Sequence, residues 1–357
     1  MFMSIPGPAA ILGSIIPLLV LDIFAVGLRF YSRRKRRQPL QTDDWLTVPA
    51  LVLAIGLASI MFYGIDSTAL GYPAPPMPDT ETGVEKRSAI TASDWKIVTA
   101  RKLEYSFLVI FATTNGLIKM SVLFLYRRLF VVDKQNWTNG RNVFFITMIT
   151  LMGLWATSYT FAFMFMCKGN FEILFTDLLA VMEQCVNTFM VGYSCSISDF
   201  ISDALIVLIP IPFVWQLHLP LGKKLAVLGV FLLGILSSGA SLVRMLWMIW
   251  ANHIGMDEAV DEGLLLTSEL YWCLMEITLG LLAACLPTLR GLVQTKSVDS
   301  VLRSVRNALS LGSTSSASQL ASSKDSTAKS SRSLDRDVYS VNVETKVTQE
   351  DRAAHWV

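Results

Sequence analysis

The sequence predicts an all-α membrane protein, a bundle of seven transmembrane helices with its N-terminus outside and its C-terminus in the cytosol. Three observations predict it. Between Ala9 and Pro287 the chain carries seven apolar stretches long enough to cross a bilayer, which takes about 20 residues. Hydrophobic residues make up 53% of its 357 residues and charged ones only 16%, well below the roughly 25% charge of soluble domains. Lys and Arg concentrate in alternate connections between the stretches, which is the pattern that sets orientation. The mean hydropathy of +0.50 agrees, and a net charge of +2 gives bulk nucleic-acid binding no electrostatic basis.

The expected spans are 9–30, 45–64, 104–126, 142–166, 190–213, 225–250 and 265–287. The first ends at the run Arg33-Arg34-Lys35-Arg36-Arg37 and has no basic segment before it, so it reads as a retained anchor and not as a signal peptide. The basic run follows span one. Arg127, Arg128, Lys134 and Arg141 follow span three, and Lys223 and Lys224 follow span five. The connection between spans four and five holds Glu172, Asp177 and Glu183 against Lys168, and that between six and seven holds Asp257, Glu258, Asp261 and Glu262. The connection 65–103 is assigned outside despite Lys86, Arg87, Lys96, Arg101 and Lys102, because long loops cross regardless of their charge. Phe171–Met182 is apolar but too short to span, and reads as an interfacial helix.

The spans belong to one domain, residues 1–290. Val298, Val301, Leu302, Val305 and Leu309 recur at helical spacing with Arg303 and Arg306 opposite, so 291–309 reads as an amphipathic helix on the inner leaflet. The Ser-rich stretch 310–357 cannot build a core and is expected to be a disordered cytosolic tail. The sequon Asn136-Trp137-Thr138 falls on the cytosolic side and is expected to stay unglycosylated.

An ionised side chain at the bilayer centre costs about 2.5–3.5 kcal/mol on insertion scales, so each one needs a partner or a purpose. Here the set is Asp22, Lys119, Asp199, Asp203, Arg244, Glu269 and Glu276, with the neutral Asn115. Asp199 and Asp203 are four apart and share a helix face. Arg244 falls in the outer half of its span, within reach of Asp199 or Glu269. Asp22 and Glu276 fall near mid-depth. Asn115, Asp199, Asp203, Arg244 and Glu269 are the candidate ligand-binding residues, and helix–helix bonding is the structural alternative. Arg29, Arg127 and Arg128 sit at helix ends, where long side chains reach the headgroups. Pro210 and Pro212 are expected to end or kink span five.

Cys167 and Cys185 fall in one outer loop, in an oxidising compartment, and read as a disulfide. Cys195, Cys273 and Cys285 read as buried hydrophobes. His218, His253 and His355 are scattered, so no metal site is expected. There is no glycine-rich nucleotide loop, no Ser-His-Asp arrangement and no zinc-protease motif.

Particular strings resemble a family. Arg29-Phe-Tyr-Ser-Arg-Arg, then Thr42-Asp43-Asp44-Trp45, is similar to the fungal rhodopsin-domain proteins, which include a membrane protein of the satratoxin biosynthetic cluster. Lys119-Met-Ser121 with Arg128-Leu-Phe130, Leu208-Ile-Pro-Ile-Pro-Phe-Val-Trp215, and Glu276 ahead of Cys285-Leu-Pro287-Thr-Leu-Arg290 extend the match in order. The resemblance implies seven helices, an outside N-terminus and a receptor-like appearance, with some members encoded beside mycotoxin genes. The chain departs from it after Cys167, where Lys168 and Gly169 stand in place of the family's frequent Pro and Trp. Microbial rhodopsins bind retinal on a Lys of helix seven. Residues 265–287 contain none, so no cofactor is expected.

The leading expectation is a plasma-membrane, receptor-like protein. It would sense a small extracellular ligand and present Arg128 and the tail to a cytosolic signalling partner. No Asp-Arg-Tyr follows span three and no Asn-Pro-x-x-Tyr lies in span seven, so G-protein coupling rests on topology alone. The alternative is a membrane protein of secondary metabolism, either accessory or a cyclase-type enzyme using Asp22 and Glu276 as acids. A small-molecule transporter ranks third, because no internal repeat is visible.

Overall fold

A computed structural model describes residues 7–73, 95–131, 140–168, 185–211, 221–254 and 262–293. All regular elements among them are α-helices: α1 (Pro8–Lys35), α2 (Thr42–Asp66), α3 (Trp95–Phe130), α4 (Gly140–Met164), α5 (Thr188–Leu208), α6 (Leu221–Ile254) and α7 (Glu262–Val293). Each is long and apolar enough to cross a membrane. The protein is a seven-helix, multi-pass membrane bundle.

Local chemistry explains where the helices begin. Pro8 opens α1, where its missing N–H costs nothing. Arg33, Arg34 and Lys35 close α1 against the negative end of its dipole. At the start of α2, Gln41 and Asp44 form a reciprocal cap, and Asp43 and Asp44 sit in the first turn, where negative charge is favoured. Asn187 caps α5 by accepting a hydrogen bond from the Met190 N–H at 3.2 Å.

Consecutive helices pack side by side, and α1 closes the ring on α7. Two helices hold the centre: α3 also contacts α5 and α7, and α7 also contacts α2. The outward faces carry the apolar side chains expected toward lipid, among them Phe24, Val52, Leu154 and Ile201. The largest core cluster joins α1, α2, α3 and α7 through Ile15, Leu57, Phe107 and Leu274. Helices α3 and α4 meet very closely at Gly116, where an added Cβ would collide with the Ala156 Cβ. After α2 the chain folds back, burying Leu70 completely. Gly71 takes φ +83°, which suits glycine, and its N–H donates to Thr267 Oγ1 at 2.8 Å.

Several boundaries differ from the sequence reading. Helix α3 begins at Trp95 and not at 104. Its 36 residues rise about 54 Å at 1.5 Å each, so it projects beyond ~30 Å of hydrocarbon. Hydropathy registers only the lipid-matched stretch, and the polar turns holding Lys96, Arg101 and Lys102 extend it. Helix α7 runs through Pro287 to Val293, because a membrane helix tolerates one missing N–H. Helix α5 stops at Leu208, two residues before Pro210. Pro212, the sequon, the interfacial stretch 171–182, the amphipathic stretch 298–309 and the tail 310–357 lie outside the described residues.

Candidate functional site

Two clusters of buried polar groups cross the bundle, and both are built on α3 and α7. The first lies among α3, α5, α6 and α7. On α3, Asn115 and Lys119 are one turn apart and point the same way. Asn115 Nδ2 donates to Asp199 Oδ1 at 2.8 Å and to Glu276 Oε1 at 2.6 Å. Lys119 Nζ donates to Asp199 Oδ1 at 2.5 Å and to Ser202 Oγ at 2.7 Å, and pairs with Asp203 Oδ1 at 2.8 Å. From α6, Arg244 bonds Asp199 Oδ2 through Nη2, which also reaches Glu276 Oε2 at 3.1 Å, while Nη1 donates to Ser196 Oγ at 3.2 Å. Aromatic faces wall the cations: Phe111 lies 4.8 Å from the Arg244 guanidinium carbon and Trp155 lies 5.1 Å from Lys119 Nζ.

Asp199 is the hub, fully buried and held directly by α3 and α6, which carry the link on to Glu276 of α7. With every group ionised, Lys119 and Arg244 supply +2 against −3 from Asp199, Asp203 and Glu276, so the network sums to −1. Oxygens of these three acids lie within 4.8 Å of one another, a spacing that could suit a metal ion. Lys119 and Arg244 between them already pair with all three acids, so the donor set fits an ion-pair network better than a metal centre.

The structure therefore brings together Asn115, Lys119, Asp199, Asp203, Arg244 and Glu276. The expected Arg244–Asp199 pair is present, but the second acid is Glu276, not Glu269. Glu269 precedes Glu276 by seven residues on the same helix face, about 10.5 Å further along the axis, and makes no ion pair among the described residues. Asp22 stands apart from the network. It is fully buried on α1, and neither carboxylate oxygen has a hydrogen-bond partner among the described residues. Ser196 and Ser202 are not among the residues expected at the site. Their spacing from Asp199, three residues to either side, was the available signal.

The second cluster gathers the ends of α1, α2, α3 and α7. Arg29 was expected to reach the headgroups. Instead it is fully buried, because α2 presents two carboxylates and α7 a carbonyl at its depth. Its Nε donates to Asp44 Oδ1 and its Nη2 to Asp43 Oδ2, both at 2.8 Å, and Nη1 reaches the Ala284 carbonyl at 2.6 Å. Arg33 backs the same acids at 3.3 and 3.2 Å. Ser121 of α3 donates to the Asp43 carbonyl at 2.8 Å, and Arg128 lies 3.9 Å from Asp43 Oδ1. Trp45, beside these acids, is 60% exposed and meets Phe30 edge-on. At the opposite end of the bundle, Cys167 and Cys185 are disulfide-bonded.

A model of the fungal rhodopsin domain matches residues 28–295. The chain belongs to the fungal rhodopsin domain family. The match takes in both polar clusters, and Asp22 lies ahead of it. Among relatives, the polyenoic acids biosynthesis gene cluster protein Ba17b of Metarhizium anisopliae is 26% identical over 77% of this chain and 71% of its own. The phomoidride biosynthesis cluster protein H of a fungal species is 27% identical over 78% of this chain and 86% of its own. Receptor GIN3 of Arthrobotrys oligospora is 25% identical over 78% of this chain, which spans 62% of that receptor. No solved structure matches.

Proposed function

We propose that this family member is a receptor-like sensor of the plasma membrane, with its N-terminus outside and its basic end in the cytosol. It would respond to a small extracellular ligand. The observation that carries the reading is the buried network centred on Asp199. Four helices meet there through charges, and a ligand that moves any one of them changes its bonds to two of the others. The two central helices reach from this network to the Arg29 cluster: α3 supplies Lys119 to one and Ser121 to the other, while α7 supplies Glu276 and the Ala284 carbonyl. A shift of α3 or α7 is thus felt at the cytosolic end, where a signalling partner would read it. The similarity to a protein named as a receptor supports this reading. It requires no retinal.

The test compares a deletion strain with strains restored by the wild type or by Glu276→Gln, which keeps the shape of the side chain and removes its charge. The sensor reading expects a blunted response to an external compound, restored by wild type and not by Glu276→Gln, with the metabolite profile intact. A normal response in the deletion strain overturns it.

A second reading is a membrane component of secondary metabolism, favoured by the two relatives named for biosynthetic clusters. It expects the deletion strain to lose one metabolite. An enzymatic form would accumulate that metabolite's precursor and depend on Asp22 or Glu276 as an acid. Asp22, buried with neither oxygen hydrogen-bonded among the described residues, suits that role better than Glu276, which the network already holds.

A further inference from the structure

A groove of about 530 Å³ opens at the basic end, between the start of α2 and the last turn of α3. Leu40, Thr42, Trp45, Phe124, Arg127 and Arg128 line it. Its charges do not balance. Asp43 and Asp44 are each held by Arg29 and Arg33. Arg128 is then a third cation facing two acids that are already paired, and it comes no nearer to Asp43 than 3.9 Å. Its Nη1 is shielded from solvent and makes no hydrogen bond among the described residues. Arg127 uses its Nε on Asn142 at 2.9 Å. The sum is +3 from Arg29, Arg33 and Arg128 against −2 from Asp43 and Asp44, or a net +1, and Arg127 raises it to +2. Leaving a buried charged donor without a partner is costly, so the geometry favours an anion at this groove.

We propose that this groove holds the phosphate of an anionic lipid headgroup, with Arg128 and Arg127 as its donors. A lipid answers the rest of the groove better than a soluble anion does. Trp45 on its wall is 60% exposed, Leu40 on its rim 41% and the neighbouring Leu129 58%. A tryptophan at the end of a transmembrane helix belongs at headgroup depth. Acyl chain and glycerol would cover these apolar surfaces while the phosphate meets the guanidinium groups, which match its geometry. The inference stands on the groove alone and does not depend on the receptor reading.

The test uses the full chain in nanodiscs of phosphatidylcholine doped with phosphatidylinositol 4-phosphate, with bound lipid counted by native mass spectrometry. The expected result is saturable retention of one phosphoinositide per chain. Arg128→Gln should weaken it at least about tenfold, the loss of a charge-assisted hydrogen bond to the phosphate. The exposed control Arg34→Gln should leave it unchanged. Should Arg128→Gln fail to fold, Leu40→Glu decides, because it puts an acid on the exposed rim and leaves the ion pairs whole. It should weaken retention at least as much. Equal losses for Arg34→Gln and the groove variants would mean diffuse attraction and overturn the proposal. Undiminished retention in Leu40→Glu overturns it too. So does displacement of the lipid by millimolar inorganic phosphate or by an acidic peptide, either of which would make this a site for a soluble anion or a protein partner.

Discussion

Replacing Arg29 with Leu removes the centre of the second cluster and separates a buried tie from a headgroup anchor. Three hydrogen bonds go with it: to Asp43 and Asp44 at 2.8 Å and to the Ala284 carbonyl at 2.6 Å. Asp43 and Asp44 are 2% and 0% exposed, so they cannot turn to water for compensation. Two routes give the magnitude. Breaking a buried pair by deleting one partner costs about 3–5 kcal/mol. Polar contacts between membrane helices measure about 0.6 kcal/mol on average and at most about 1.7, because the separated helices find other partners. Three such contacts sum to roughly 2–5 kcal/mol, so the two routes overlap. The assay is reversible unfolding in mixed micelles. Arg29→Leu should lose about 2–5 kcal/mol, and Arg29→Lys should lose most of that, since an ammonium cannot fork between two carboxylates. A triple variant, Arg29→Leu with Asp43→Asn and Asp44→Asn, should recover part of the loss. A silent Arg29→Lys, or an Arg29→Leu within about 0.5 kcal/mol of wild type, would refute the tie and restore the headgroup account.

Other expectations are simpler to check. Gly116→Ala forces α3 and α4 apart at Ala156 and should cost about 1–3 kcal/mol in the same assay, with Ala156→Gly beside it recovering much of the loss. Cys167→Ser opens a loop of 18 residues and should lower stability by about 3 kcal/mol, and reductant should reproduce the loss in the wild type alone. Asn136 should carry no glycan when the protein is expressed in fungal cells; glycosidase-sensitive mobility that vanishes in Asn136→Gln would reverse the proposed orientation.

The sequence disclosed the bundle well, because hydropathy over 20 residues reflects the solvent around a helix and seven such windows survive any local ambiguity. It disclosed the network partially. Asp199, Asp203, Lys119, Arg244 and Glu276 stand out because ions are costly in a bilayer, but their pairing depends on helix rotation and axial offset, which one sequence does not encode locally. Glu269 and Glu276 share a face, and only their depth relative to Arg244 separates the partner from the bystander. Arg29 departs from the headgroup expectation for a related reason. A cation at a helix end ordinarily reaches toward water, and only the placement of Asp43, Asp44 and Ala284 around it turns it inward. Asp43 and Asp44 were visible as a family string, while their role became legible only with α1 beside them.

Whether the Asp199 network is more than adhesive is the question on which the sensor reading turns, and its charge sum bears on it. Replacing a buried ion pair by well-packed apolar residues is often neutral or stabilising, so stability alone gives little reason to hold five ionisable groups inside one bundle. Adhesion would be served by matched pairs, yet here three acids face two cations. Matched removal distinguishes the roles. Lys119→Met with Asp203→Leu deletes one charge of each sign and leaves the sum at −1, so neither partner is stranded. Adhesion alone predicts a folded protein, within about 1 kcal/mol of wild type, that fully restores the deletion strain. A ligand-responsive network predicts the same stability with the response lost, because Asp199 would be held by Arg244 and Asn115 and no longer by Lys119. A stable, fully responsive double variant would reduce the network to glue and remove the main support for a sensor.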